Sequence, residues 1–188
     1  MYPKPWKNSM NPSQKQNQKT LSEEDFIQII SQFQQELYRF FLFLGNSPED
    51  SEDLVQETFI RFYHKFHLYK EQGSLRAYLY HLAKNLWIDL IQRKKRPLSH
   101  DLKNLEQKEN LFLYHDHQKD LKLDLQWALW NLEEKFRLPL ILKFYQNFKY
   151  DEISMILDIP VGTIKNRVFK GVQKLRSLLS AYQERERK

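Results

Sequence analysis

Apolar side chains recur at steps of three and four residues along much of this chain, which is the spacing of one buried face of an α-helix. The first such stretch runs from Glu23 to Leu44, and Gly45-Asn46 ends it. A strand would show apolar residues at every second position, and only four glycines are available for tight turns. The pattern therefore predicts an all-α protein.

Two more helices are predicted before residue 97. Ser47 suits the N-cap of the second helix, with Pro48 at its first position and Asp50 placed to complete a capping box. After a loop at 68–73, Ser74 caps a third helix that extends to about residue 96. The residues expected to face inward are Leu54, Thr58, Phe59, Phe62, Tyr63 and Phe66 in the second helix, and Leu75, Leu79, Leu82, Leu86 and Leu90 in the third.

The apolar pattern is interrupted at 97–120, where the chain is polar and charged. We predict a flexible linker there. It joins a first small helical domain at 21–96 to a second at 121–188, and a disordered basic leader at 1–20 precedes both. Two domains on such a tether can bind two separate sites.

The second domain is predicted to end in a helix-turn-helix. One helix is marked by Leu125 to Leu132 and the next by Leu138 to Tyr145, with Pro139 in the first turn of the latter. A short helix from Tyr150, a turn at Asp158-Ile159-Pro160 and a longer helix then follow. The second helix of such a motif lies in the DNA major groove.

The outer face of that last helix carries side chains suited to reading DNA. Lys and Arg donate to guanine, Asn can form a bidentate pair with adenine, and the first turns meet base edges. Residues 159–188 contain eight basic and two acidic residues, which makes an ordinary solvated face the weaker interpretation. The predicted contacts are Thr163, Lys165, Asn166 and Arg167, with Lys170 and Lys174 further back for phosphates.

Composition agrees with a polyanionic partner, because the formal net charge is +6 and the pI is about 9.3. Without cysteine the chain forms neither disulfides nor thiolate metal sites, which suits a reducing cytoplasm. No stretch approaches the roughly 20 apolar residues of a membrane span, so no membrane insertion is predicted. The scattered glycines form no phosphate-cradling loop, and no cofactor is predicted.

The second helix carries an acidic face. Residues 45–60 include five acidic residues and no basic one, so this surface is not expected to bind DNA. Asp53, Gln56, Glu57 and Ile60 share a face opposite the phenylalanine stripe. Polar residues around an exposed isoleucine suit a protein-docking surface, and a merely solvated face is the alternative.

The third helix has a basic end. Arg93-Lys94-Lys95-Arg96, together with Lys84, forms a stripe suited to phosphate contacts. Tyr80 and Trp87 are candidates for stacking on unpaired bases, although Trp87 suits a buried core position equally well.

Three segments carry a resemblance to a known family: residues 52–61, residues 78–89 and residues 160–168, Pro-Val-Gly-Thr-Ile-Lys-Asn-Arg-Val. They resemble the sigma-70 family of transcription factors, in particular its extracytoplasmic-function (ECF) type. The first segment resembles its region 2.2, the second its regions 2.3 and 2.4, and the third its region 4.2 motif. Asn166 and Lys170 stand where Ser and Arg are usual, so the chain's own promoter preference is expected to lie at these positions.

The resemblance implies a non-enzymatic sigma factor that confers promoter recognition on RNA polymerase core in the cytoplasm. The second domain would read the −35 element, and the first would melt and read the −10 element. The acidic face would dock on the clamp coiled coil of the β′ subunit. The β flap is a further expected contact and an anti-sigma factor a further expected partner. The expected −10 contacts are Arg76, Tyr80, Lys84, Asn85, Trp87, Arg93 and Lys94, with Asn85 and the loop at 68–75 holding a flipped base.

Two other functions would account for parts of the sequence. A stand-alone helix-turn-helix regulator would need neither the acidic face nor the region 2 motifs. A metal-dependent hydrolase could use His100, His115 and His117, but these histidines lie in the predicted linker without further ligands on rigid elements.

Overall fold

The computed structural model describes residues 21–69, 74–95 and 119–186, which form helices and the turns between them. The predicted all-α class is confirmed, while the predicted leader and nearly all of the predicted linker lie outside the described residues. None of the described helices is long and apolar enough to cross a bilayer. The elements are α1 (Glu23–Phe43), α2 (Pro48–Lys65), a 3₁₀ turn (Phe66–Leu68), α3 (Leu75–Lys95), α4 (Lys119–Trp130), α5 (Glu134–Leu140), a π-helical segment (Ile141–Tyr145), α6 (Tyr150–Leu157) and α7 (Val161–Glu186).

Serine side chains cap the first three helices. Ser22 precedes α1, and its Oγ accepts a hydrogen bond from the backbone N–H of Asp25 at 3.1 Å. The predicted caps Ser47 and Ser74 make the same bond to the third residue of α2 and of α3, each at 3.1 Å. These bonds satisfy N–H groups that have no partner within the helix, so the local sequence fixes where each helix begins.

Helices α1, α2 and α3 pack around a phenylalanine-rich core. The ring of Phe62 is fully buried, and its centroid lies 5.5 Å from that of Phe66 and 6.2 Å from that of Tyr78. The inward prediction for Tyr63 is wrong, because its side chain is exposed and rests against Phe26. Tyr63 lies at the edge of that core, where its ring centroid is 5.0 Å from that of Phe26, while Phe62 points inward about 100° further around the helix.

Helix α3 is buried on two faces. Leu79, Leu82 and Leu86 face the first core, as predicted. A second stripe on the same helix packs towards α6 of the second domain, and it contains Tyr80, which is fully buried. Helix α3 therefore lies between the two domains and belongs to both cores.

The second domain is built on the predicted helix-turn-helix. Ile153 and Ile156 of α6 and Ile164 of α7 are fully buried in its core. Asp158 ends α6 in the left-handed conformation with φ 57°, which Asp adopts more readily than most residues. The turn at 158–160 then redirects the chain into α7, whose 26 residues make it about 39 Å long.

The helix that contains Pro139 begins earlier than predicted. Pro139 is the sixth residue of α5, so its placement in the first turn is wrong. Glu133, the residue before α5, makes no capping hydrogen bond with its side chain, so the usual sequence signal for a helix start is absent at this position. Because proline has no N–H, the helical ladder is interrupted here, and a π-helical segment follows directly.

Gly171 sits where α7 meets α5. A Cβ built at Gly171 would lie 3.1 Å from Cδ1 of Leu140 and 3.3 Å from Cβ of Phe136, whereas one at Gly162 would meet nothing within 4 Å. We therefore expect Gly171→Leu to lower the free energy of unfolding by about 1–3 kcal/mol through overpacking. Urea denaturation monitored by circular dichroism measures this change, with Gly162→Leu as the matched control on the same helix. Equal stability of the two variants would contradict the expectation.

Candidate nucleic-acid interface

The outer face of α7 is open to solvent. Thr163, Lys165, Asn166 and Lys170 are exposed, and Arg167 is half-buried. Nζ of Lys165 lies 5.8 Å from the centre of the Tyr150 ring, and Nζ of Lys143 lies 4.8 Å from the same ring. Lys143 was not among the predicted contacts, because nothing in its sequence spacing shows that the π-helical segment brings it to the start of α6.

Lys174, the last predicted contact on α7, is paired within the domain. Its ammonium group hydrogen-bonds the carboxylate of Glu133, just before α5, and lies 4.7 Å from the centre of the Phe136 ring. Hydrogen bonds from Lys135 and Lys174 lower the pKa of Glu133 to about 2. A DNA phosphate would therefore have to compete with Glu133 for the ammonium group of Lys174.

The predicted −10 contact Arg76 lies at the boundary of the two domains. Its Nε donates to Glu36 of α1 at 2.8 Å, and its Nη1 donates to the backbone carbonyl of Gln146 at 2.9 Å. The guanidinium carbon lies 4.2 Å above the ring of Phe148. One side chain thus joins α1, α3 and the turn before α6.

Tyr80 faces the same turn. Its side chain is 0% exposed, and its hydroxyl donates to Oε1 of Gln146 at 2.7 Å. Burial raises the pKa of Tyr80, so the hydroxyl keeps its proton and remains a donor. In this arrangement Tyr80 is not available to stack on a base.

Lys84 and Asn85 belong to a polar cluster where α3 of the first domain meets the end of α6 of the second domain. Nζ of Lys84 lies 3.6 Å from the carboxylate of Asp158. His81 lies between them, with Nδ1 3.2 Å from the carbonyl of Ile156 and Nε2 3.1 Å from Nδ2 of Asn85. A neutral imidazole protonated on Nδ1 satisfies both contacts, since it donates to the carbonyl and accepts from the amide.

The charge state of His81 follows from its surroundings. Burial and the charge of Lys84 lower the pKa of His81, and Asp158, whose carboxylate is 3.8 Å from Nδ1, opposes them. With its pKa lowered from 6.5, the ring is neutral at pH 7.

The remaining −10 predictions divide into buried and exposed residues. Trp87 is 1% exposed, which matches its alternative interpretation as a core residue. Arg93 and Lys94 are exposed near the end of α3, where Lys94 donates to Asp50 of α2 at 2.8 Å. The contacts of Arg76, Tyr80, Lys84 and Asn85 with DNA stay predictions, and they require a form in which the second domain has moved away.

The acidic face of α2 lies on the surface. Asp53 and Gln56 are exposed, and Ile60 is half-exposed between them and the end of the helix. Glu57 accepts a hydrogen bond from Nε of Arg61 at 2.8 Å, and the same guanidinium reaches Asp89 of α3 at 3.5 Å. A groove of about 340 Å³ runs along this face between α2 and α3.

The three histidines considered for a metal-dependent hydrolase, His100, His115 and His117, lie outside the described residues.

Family models match both domains. The model for Sigma-70 region 2 matches residues 29–97, and that for Sigma-70, region 4 matches residues 123–175. The chain belongs to the sigma-70 family. Two curated relatives, both 31% identical, place it within the ECF type. SigE of Mycolicibacterium smegmatis aligns over 161 residues, covering 82% of this chain and 62% of the relative. SigW of Bacillus subtilis aligns over 170 residues, covering 84% and 90%.

Two solved structures share the two-domain fold. The sigma factor RpoE of Bartonella quintana, crystallised with the anti-sigma factor NepR, is 25% identical. It superposes with a TM-score of 0.69 over 84% of this chain and 98% of that one. CnrH in complex with the cytosolic domain of CnrY, at 20% identity and a TM-score of 0.66, agrees in fold over 85% and 90% of the two chains. This protein is an ECF-type sigma factor, and a stand-alone regulator is not favoured.

Proposed function

We propose that this sigma factor brings RNA polymerase core to promoters by reading the −35 element with α7 and the −10 element with α3. The observation that carries the proposal is the exposed outer face of α7. Helix α7 is the second helix of the helix-turn-helix, and it lies within the residues that match the region 4 family model. Such a helix presents its first turns to base edges in the major groove.

Within α7 the roles divide by position. Lys165, Asn166 and Arg167 lie within the first two turns and are the base readers. Lys170 and Lys174 lie one and two turns further along and contact phosphates, while Thr163 contacts the backbone at the helix start. Phosphate contacts fix the register of α7 on the duplex, and the base readers supply its sequence preference.

Within the first domain, α3 acts on single-stranded DNA. Arg76, Tyr80 and Asn85 hold unpaired bases of the −10 element, and Lys84, Arg93 and Lys94 follow the phosphates. Contacts to the exposed bases offset the few kcal/mol that unpairing costs. The chain has no catalytic role of its own in this scheme, and it works in the cytoplasm with the polymerase.

The acidic face of α2, Asp53, Gln56, Glu57 and Ile60, docks on the clamp coiled coil of β′, and the second domain contacts the β flap. The sigma factor RpoE of Bartonella quintana binds the anti-sigma factor NepR, and an anti-sigma partner is proposed for this chain on that likeness.

Specific initiation by reconstituted polymerase tests the function. Core polymerase with this chain should produce discrete transcripts from a genomic fragment library, whereas core alone should not. If the chain neither binds core nor supports specific initiation, the sigma assignment of this chain fails.

A change at Ile60 tests the docking face. Ile60 is 50% exposed on α2, and Ile27 is similarly exposed, at 55%, on α1 outside the face. A carboxylate at the centre of an interface is buried without a partner, so we expect Ile60→Asp to weaken binding to core about tenfold, or about 1.4 kcal/mol. Fluorescence anisotropy of labelled chain titrated with core measures this, and Ile27→Asp is the control. Equal weakening by both changes would place the docking surface elsewhere.

A further inference from the structure

One histidine lies between the two domains. Of the described histidines, His64 and His67 are exposed on the first domain, and His81 lies where α3 meets α6. Nδ1 of His81 is 3.2 Å from the carbonyl oxygen of Ile156 in α6, and Nε2 is 3.1 Å from Nδ2 of Asn85 on its own helix. A carbonyl oxygen accepts and an amide nitrogen donates, so these contacts fit a ring with a single proton on Nδ1. The contact between the domains therefore selects the neutral form of His81.

A second proton on His81 would disturb this contact. Protonation of Nε2 turns an acceptor into a donor, and this donor faces the amino group of Asn85, which is a donor as well. Rotation of the Asn85 amide would bring its oxygen to the ring and restore that hydrogen bond. The ring would still carry a positive charge inside the interdomain contact, and the cost of that charge depends on the groups around it.

Two charged groups lie close to His81. The side chain of Lys84, one turn along α3, is only 7% exposed, so water screens its positive charge poorly. Asp158, at the end of α6, is 3.8 Å from Nδ1 of His81 and favours a charged ring, as do the carbonyls of Ile156 and Met155. The same carboxylate is 32% exposed and already lies 3.6 Å from Nζ of Lys84. Burial and Lys84 therefore outweigh Asp158, and they lower the pKa of His81.

Other charged groups where α1, α2 and α6 pack against α3 have partners of their own. These pairs are Glu36 of α1 with Arg76, Arg61 of α2 with Asp89, Asp50 of α2 with Lys94, and Glu152 of α6 with Ser74. Their charges are balanced without His81. The affinity of His81 for a second proton is therefore governed by its burial, by Lys84 and by Asp158.

We propose that His81 makes the contact between the two domains sensitive to protons: the neutral ring bonds α3 to α6, and its protonation loosens α6 from α3. The direction follows from linkage, because falling pH favours the form that binds the proton more tightly. In separated domains the solvated ring titrates near the ordinary histidine value of about 6.5. The contribution of His81 to the contact is thus complete above about pH 6.5 and declines as pH falls towards the lower pKa of the docked ring. This inference goes beyond the proposed function and does not depend on which DNA the chain reads.

A side chain that does not titrate provides the main variant. His81→Gln offers an amide donor and an amide acceptor and stays uncharged. His64→Gln makes the same change at an exposed position on α2 and is the matched control. Because the chain has no cysteine, dyes whose emission does not depend on pH can be attached to the full chain at Glu24→Cys and Ser180→Cys, one in each domain.

Single-molecule energy transfer between the dyes counts docked and separated chains. Between about pH 7.5 and 5.5, we expect the ratio of separated to docked parent chains to rise several-fold, with a limit of about tenfold set by the value of 6.5 for a solvated ring. The His64→Gln chain should show the same rise, and the His81→Gln chain should show none. An unchanged ratio in the parent chain would overturn the proposal, and so would a His81→Gln chain that responds to pH as the parent does.

Proton NMR of the full chain gives a second measurement. The Cε1 proton of His81, identified by its loss in His81→Gln, should titrate below pH 6.5 in the parent chain. Gln146→Lys places a cation beside Arg76, which donates to Gln146 across the contact, and it should separate the domains. The titration of His81 should then move up towards 6.5. A His81 pKa at or above 6.5 in the parent chain, or one that stays low in separated domains, would overturn the proposal. Failure to initiate with core polymerase would instead refute the proposed function and leave the proton-sensitive contact standing.

Discussion

Phe40→Ala is expected to lower the free energy of unfolding by about 3–5 kcal/mol, the range for deleting a fully buried phenylalanine. Phe40 is 0% exposed, and its ring centroid lies 5.6 Å from that of Phe41 and 4.9 Å from that of Tyr80. The cavity left by the change would open at the centre of the first domain. Because the hydroxyl of Tyr80 also donates to Gln146 of the second domain, loss of its neighbour should loosen the contact between the domains.

Urea denaturation monitored by circular dichroism measures the loss in the free energy of unfolding. Phe169→Ala is the matched control, because the same chemical change is made on α7 at a side chain that is 63% exposed. That control should cost less than about 1 kcal/mol, as surface substitutions usually do. Similar losses for Phe40→Ala and Phe169→Ala would mean that Phe40 is not part of a well-packed core.

Features determined by neighbouring residues could be predicted from the sequence. At Ser47 and Ser74, the serine hydroxyl accepts a hydrogen bond from the backbone N–H three residues later, so each cap can be recognised from the local sequence. The helix-turn-helix follows from the turn at 158–160, where Asp takes the left-handed conformation and Pro160 precedes a new helix. Each of these signals lies within about four residues of the structure it determines.

Features that depend on distant residues were not predicted. The face of α3 that contains Tyr80 and Lys84 looks suited to solvent and nucleic acid, because lysine is mostly exposed in folded proteins and tyrosine is intermediate in its burial. Their burial depends on Gln146 and Asp158, more than 60 residues away along the chain. No periodicity of α3 reports such a partner, so the sequence alone does not distinguish a nucleic-acid contact at these residues from a contact with the second domain.

Two exposed lysines on α7 allow the proposed base contacts to be distinguished from the proposed phosphate contacts. Lys165→Ala is expected to relax the base preference at one or two positions of the −35 element, at a cost of about 1–3 kcal/mol in discrimination. Lys170→Ala should keep the preference and weaken binding to all sequences alike. Since each phosphate contact contributes about 0.9 to the slope of log K against log salt, that slope should fall by about 1.

Selection of bound duplexes from a randomised library, followed by titrations at several salt concentrations, separates the two effects. Lys65→Ala is the control, because Lys65 is exposed at the end of α2 in the first domain and is outside the proposed contacts. It should alter neither the selected sequence nor the salt slope. If Lys165→Ala instead behaves like Lys170→Ala, with unchanged preference and a shallower slope, Lys165 is a phosphate contact. The bases would then be read by Asn166 and Arg167, and the promoter preference of this chain would depend on the position where it has Asn in place of the family's Ser.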